Sequence, residues 1–208
     1  MNIQKITIID YGMGNIASVC NAFKFLGCTV EVTDDPKKIM SAEKLVLPGV
    51  GSFRRAEHQL QILGIKNVIL DVVVDRSRPI LGICLGMQLL ASKSTEDGET
   101  LGLGIVDGLI DKFNTSEMEN RKIPHVGFNE VRPSTNSRLF KNLPAHADFY
   151  FVHSYRISQM DSNYNPSMCM YGTKFVAAFE YNNVFGTQFH PEKSQTNGLM
   201  LLRNFLKA

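Results

Sequence analysis

Cys84 and His190 are the two residues whose types and settings could carry covalent chemistry. Cys84 lies in Gly82-Ile83-Cys84-Leu85-Gly86, the cysteine counterpart of the G-x-S-x-G elbow, in which a tight strand-to-helix turn lifts a nucleophile above a sheet. The two glycines tolerate a strained backbone and let other chain come close. A thiol at a helix N-terminus feels the positive end of the helix dipole, which favours the attacking thiolate. A buried core cysteine beside a glycine turn is the competing reading, because free Cys is among the most buried residue types. A matching base has to decide. Of the five histidines, His58, His125, His146, His153 and His190, the last stands in Gln188-Phe189-His190-Pro191-Glu192. Pro191 stiffens the backbone there, and Glu192 can turn back to hold the imidazole, so Cys84, His190 and Glu192 match a nucleophile, its general base and the group that orients the base. A strand-end histidine with a solvated glutamate accounts for the same residues without chemistry. Neither a metal nor another cofactor is expected, since His-Pro-Glu lacks helical ligand spacing and no third ligand presents itself.

The elements that would position these groups alternate in the first half of the chain. Strands are predicted at Lys5 to Asp10, Cys28 to Thr33, Lys44 to Leu47 and in the apolar run after Pro79. Helices are predicted from Ile16 to Leu26, where Ile16, Val19, Cys20, Phe23 and Leu26 repeat at helical spacing and Gly27 caps, after Asp34-Asp35-Pro36, from Ser52 with Phe53, Ala56 and Leu60 on one face, and from Leu85 to Leu90. The segment Ile65 to Asp75 is rich in β-branched residues, yet a parallel sheet needs a crossover before Pro79, so it is read as helix. Beyond Lys93 strands come in a run: Ile105 to Phe113, His125 to Arg132, Asp148 to Ile157, and Val176 to Tyr181 turning through Asn182-Asn183 into Val184 to Phe189 as a hairpin. Ser158 to Gly172 reads as a loop or irregular insertion, and Gly198 to Lys207 as a short amphipathic helix. One α/β domain over residues 1–208 follows, with a doubly wound, mostly parallel sheet in the first half and antiparallel strands added by the second.

Composition narrows the function classes. At 208 residues the chain can bury a real core. With 22 Lys and Arg against 20 Asp and Glu, and the basic residues scattered, there is no nucleic-acid footprint. Cys20, Cys28, Cys84 and Cys169 form no close-spaced pair, which argues against a disulfide framework or a zinc site. The N-terminus runs straight into a strand without a signal-peptide pattern, and no apolar run reaches membrane-spanning length. A soluble, cytoplasmic protein is expected. Gly12-Met13-Gly14 is only a partial G-x-G-x-x-G, a weak dinucleotide signal.

Gly82-Ile83-Cys84-Leu85-Gly86-Met87-Gln88 together with Phe189-His190-Pro191-Glu192-Lys193-Ser194 resembles the class I glutamine amidotransferases, whose glutaminase domains use a Cys-His-Glu triad. Four further stretches narrow the resemblance to the glutaminase subunits of imidazole glycerol phosphate synthases. They are Asp10-Tyr11-Gly12-Met13-Gly14-Asn15, Pro48-Gly49-Val50-Gly51-Ser52-Phe53, Ile123-Pro124-His125-Val126-Gly127-Phe128-Asn129 and Phe149-Tyr150-Phe151-Val152-His153-Ser154-Tyr155. The resemblance implies a flavodoxin-like glutaminase domain that hydrolyses L-glutamine through Cys84, His190 and Glu192. It assigns an oxyanion hole to Leu85, Val50 and Gly51, and glutamine binding to Gly49, Gln88, Ser154 and Tyr155. A TIM barrel synthase subunit is the implied partner in a heterodimer, met through Tyr11, Asn15, Phe128, Asn129 and Lys193. For Gly49-Val50-Gly51 a plain glycine-rich turn, for Gln88 a first-turn polar residue, for Ser154 and Tyr155 ordinary strand positions and for Lys193 a solvated lysine are the competing readings.

Two features depart from the histidine-pathway members. Phe128 stands where they usually carry Trp, a frequent interface anchor, and Arg54-Arg55 where a Gly or an acidic residue is usual. An altered partner surface follows, so a related pair of subunits that aminates a sugar precursor in surface polysaccharide synthesis is the alternative acceptor system. A cysteine hydrolase of similar fold without amidotransfer is the third reading, against which Gln88 and His190-Pro191-Glu192 speak.

Overall fold

In the computed structural model, residues 3–208 are described. The chain runs β1 (Lys5–Ile9), α1 (Ile16–Phe25), β2 (Thr29–Thr33), α2 (Pro36–Met40), β3 (Leu45–Gly49), α3 (Phe53–Ile62) and α4 (Ile65–Leu70), which continues into a π-helical turn over Asp71–Asp75. There follow β4 (Ile80–Cys84), α5 (Leu85–Leu90), β5 (Lys93–Ser94), β6 (Thr100–Leu101), β7 (Leu109–Lys112), β8 (His125–Arg132), β9 (Ala147–His153) and β10 (Tyr155–Ile157). The C-terminal part is β11 (Ser167–Tyr171), β12 (Thr173–Tyr181), β13 (Val184–Thr187) and α6 (Gln195–Lys207).

Nine strands form one sheet in the order β2-β1-β3-β4-β13-β12-β11-β8-β9. The first five are parallel and the remainder antiparallel. The order of the parallel part is that of a flavodoxin-like sheet, with its fifth place taken by a hairpin strand from the far end of the chain. The expected α/β architecture is therefore present, and the apolar strands β3 and β4 are buried along their whole length because helices cover both faces. A second, four-stranded sheet, β10-β7-β5-β6, lies beside it.

The β-branched segment from Ile65 is helical, as the crossover argument required. Ile65, Ile69, Val72 and Val73 are buried at helical spacing, so packing of one face outweighs β propensity. Three expectations fail. Ser158 to Gly172 is not a loop throughout, because β11 pairs with both β12 and β8 inside the large sheet. Its Ser167 and Cys169 point inward in alternation, a period hidden by residues that lack β propensity. Asp148 to Ile157 is two strands, since the chain bends at Ser154 and passes from the large sheet to the small one. Ile105 to Phe113 is extended only over Leu109–Lys112, because Ile105 and Val106 donate their N–H groups to the Leu90 carbonyl and cap α5 instead.

Candidate active site

Strand β4 delivers Cys84 to the carboxyl edge of the parallel sheet, where α/β folds keep their sites. Its backbone has φ 54° and ψ −110°, a region costly for a residue with a side chain and held only when the surroundings enforce it. Gly82 and Gly86 provide that enforcement. A Cβ on Gly86 would overlap the Leu47 carbonyl oxygen, and one on Gly82 would come within 2.7 Å of the Gly86 oxygen and the Met87 nitrogen. Both glycines therefore let α5 turn back hard against β3 and β4. Cys84 is 7% exposed and lies opposite Gly49 across the β3–β4 ladder.

Strand β13 runs beside β4, with Thr187 opposite Ile83, so the residues that follow it reach the same edge. The His190 N–H donates to the Tyr150 carbonyl at 2.8 Å, and the Ser194 hydroxyl donates to the His190 carbonyl at 2.6 Å while accepting from the Tyr150 N–H at 3.0 Å. This clamp, with the turn at Pro191, fixes the ring. His190 Nδ1 lies 2.8 Å from Glu192 Oε1, with the two side chains 2% and 1% exposed. His190 Nε2 has no hydrogen-bond partner among the described residues, and Cys84 is the neighbour that acts on it. Burial pulls the imidazole down, but the interactions with nearby Cys84 and with hydrogen-bonded Glu192 outweigh it and carry His190 up to about 10. The structure thus brings the three sequence-predicted residues into one crevice: a sulfur, a ring that holds the proton between them, and a carboxylate behind the ring.

A cavity of about 310 Å³ opens over the sulfur, lined in part by Val50, Gly51, Leu85, Gln88, Ser154 and Tyr155. The Leu85 N–H stands in the first turn of α5, where it has no intrahelical acceptor. The Val50 N–H is spent on the Met13 carbonyl at 3.3 Å, so it can serve the cavity only if the Gly49–Val50 peptide turns. Gln88, 4% exposed, donates through Nε2 to the Tyr155 carbonyl and to Gln188 Oε1, both at 3.0 Å.

Two residues of this crevice are not signalled by the sequence. Gln188 is fully buried and donates to the Cys84 sulfur at 3.7 Å. Its place beside the Phe189-His190 motif is the only hint the sequence holds. Glu96 also lines the cavity and accepts from the Phe53 N–H at 2.8 Å. Its carboxyl is pushed upward, chiefly by burial, and nothing in the short β5–β6 connection marks it.

Of the residues expected to meet a partner, Phe128 is 48% exposed, Lys193 is exposed beside the Tyr150 ring, Asn15 precedes α1 half-buried, and Asn129 is half-buried with its amide on His125. Tyr11 is a correction. It is 1% exposed, and its hydroxyl packs against Gly49 without a hydrogen-bond partner, because the turn after β1 folds inward under the end of β3. Its phenol is raised above the ordinary tyrosine range by burial and by the nearby Cys84 and Asp10.

Residues 7–208 match the family model described as glutamine amidotransferase class-I. Imidazole glycerol phosphate synthase subunit HisH 1 of Parasynechococcus marenigrum is 44% identical, with 98% of each chain covered. Subunit HisH of Moorella thermoacetica is also 44% identical, covering 98% of this chain and 94% of its own. A crystal structure of a glutamine amidotransferase superposes with TM-score 0.75 over 97% of both chains at 17% identity, a likeness of fold.

Proposed function

The chain belongs to the class-I glutamine amidotransferases, and from that premise we propose that it is the glutaminase subunit of an imidazole glycerol phosphate synthase, passing ammonia to a TIM barrel synthase subunit in histidine biosynthesis. The convergence of Cys84, His190 and Glu192 in one buried crevice carries the reading. Full-length relatives with that subunit's name support the choice of pathway.

Glutamine enters the cavity with its side-chain amide over the sulfur. With the Cys84 proton transferred to His190, the sulfur bonds to the amide carbon, the carbonyl electrons move to oxygen, and the C–N bond then breaks as His190 hands that proton to the leaving nitrogen, releasing ammonia. Water adds to the glutamyl thioester with His190 accepting its proton, and loss of the thiolate gives glutamate. Glu192 holds the imidazole in the tautomer and orientation both steps need. The Leu85 N–H, joined by that of Val50 or Gly51 after the peptide turns, holds the oxyanion, each donor being worth about 3 kcal/mol. Gly49, Gln88, Ser154 and Tyr155 position the substrate, and the Glu96 carboxylate has the charge to pair with its α-ammonium group.

Ammonia released into water at neutral pH is mostly protonated and lost as a nucleophile, so a partner must receive it. The outer face of β8 and β9 offers exposed Val126, Phe128 and Val152, an apolar surface that reaches the cavity mouth at Val152, as a docking face for a barrel would.

The test is glutamate release and acceptor amination with the histidine-pathway barrel. Cys84→Ala should cut glutamine-dependent synthesis by about 10⁴-fold or more, while synthesis from ammonium salts persists. Glutamate release only with a sugar-amidating barrel would transfer the protein to that pathway. Cleavage of esters or peptides, with no glutamine turnover beside either barrel, would make it a cysteine hydrolase of another kind.

A further inference from the structure

At the cavity, whose wall includes His153, two buried histidines form a connection that the reaction itself does not use. Asn129 Nδ2 lies 2.7 Å from His125 Nε2, His125 Nδ1 lies 3.0 Å from His153 Nε2, and His153 Nδ1 lies 2.8 Å from the Tyr155 carbonyl. A carbonyl only accepts, so His153 Nδ1 must carry a proton. In a neutral ring its Nε2 then accepts, which forces the His125 proton onto Nδ1 and leaves His125 Nε2 to accept from the Asn129 amide. One direction of donation runs along the whole chain. Both rings are neutral at physiological pH. Burial is the first cause, lowering His153 to about 3 and His125 to about 4. Arg121, over the Tyr171 face, lowers His125 further, and His125, His190 and Arg156 lower His153. His125 is clamped in place between Tyr171 at 3.9 Å and Phe151 at 4.6 Å.

The far end is the Tyr155 carbonyl, which also accepts from Gln88. Gln88 in turn holds Gln188, whose amide donates to the Cys84 sulfur. A metal is a poor reading of the pair. All four ring nitrogens are already engaged, and no cluster of three metal-ligating side chains exists among the described residues.

We propose that His125 and His153 are positioning residues, a neutral hydrogen-bond relay through which Asn129, on the partner-facing ribbon, sets the Tyr155 carbonyl and with it Gln88, Gln188 and the thiol. The inference rests on the glutaminase reading. A shift of the Asn129 amide on docking would reach the substrate site through bonds that have one permitted polarity and no charged intermediate to solvate. Spatial continuity alone does not establish coupling, so the test measures coupling.

Two readouts are the KM for glutamine and the ratio of glutaminase rates with and without the barrel. His153→Phe keeps ring volume and removes both bonds. It should raise KM about tenfold and lower the stimulation ratio by about tenfold or more. Asn129→Ala should lower the ratio, and the double variant should fall no further than the worse single one. A folded His153→Phe with unchanged KM, or losses that multiply in the double variant, would overturn the relay. If His153→Phe does not fold, His125→Phe decides: it leaves the His153 bond to Tyr155 and cuts the link to Asn129, so the ratio must fall while KM holds. An unchanged ratio sinks the proposal. ¹⁵N NMR of the free wild-type chain should show both rings neutral and protonated at Nδ1 near about pH 6. An Nε2–H or charged ring would overturn the relay even if glutamine turnover with the barrel upholds the function.

Discussion

The crevice and the β8–β9 ribbon behind it each hold buried histidines, and the two regions treat them in opposite ways. At the crevice, His190 faces a thiol and a carboxylate, and those partners outweigh burial to keep its proton up to about 10. In the ribbon, His125 and His153 face each other, aromatic rings and two arginines, and burial strips their protons. Burial is similar and the neighbours differ. A histidine's working state is therefore read from what it touches rather than from how deep it lies.

The largest effect expected within this contrast comes from Glu192→Gln, which removes one of the two partners that lift His190. Glutaminase kcat/KM with the barrel bound should fall by about 10³-fold, and the alkaline limb of its pH profile should move down from near about 10. An unmoved limb would mean that the thiol alone sustains the proton. Gly86→Ala probes the backbone side of the crevice. The methyl overlaps the Leu47 carbonyl, so unfolding stability should drop by about 3 kcal/mol, read as a fall in Tm of about 6–12 °C. A drop of only a few tenths would show that the elbow can relax.

The smallest effect separates the histidines through stability. His125 and His153 are depressed, so the unfolded chain takes up their protons first. Their contribution is lost as pH falls from about 6.5 toward about 4 for His125 and about 3 for His153, at up to about 1.4 kcal/mol per pH unit for each group. His190 is raised, so its contribution is complete below about 6.5 and is lost as pH rises through about 10. Urea unfolding at pH near about 7 and about 5 should show acid destabilisation that is reduced in His153→Phe. An identical acid slope in that variant would place the cause elsewhere.

The legibility of these two regions also differs. The elbow was readable because its demands are local. A strained φ, two glycines and a following helix must sit within five residues, and Pro191 and Glu192 must follow His190 directly. The burial of Tyr11, expected at the partner contact, is not legible because nothing in Asp10-Tyr11-Gly12 tells which way a turn folds. β11 has little signal of its own because its neighbours in the sheet, rather than its own residues, stabilise it. Glu96 carries no local signal and Gln188 only its place beside Phe189-His190, since an amide or a carboxylate becomes part of a site only through what packs against it.

The sequence by itself determined the strand-helix alternation, the parallel sheet with its antiparallel extension, and the two short motifs, because hydrophobic period and backbone sterics act over a few residues. Only the tertiary structure decided that β13, a hundred residues after β4, takes the adjoining place in the sheet and so sets His190 against Cys84. It alone decided too which histidines keep their protons, because electrostatic environment is a property of contacts between distant segments and has no counterpart along the chain.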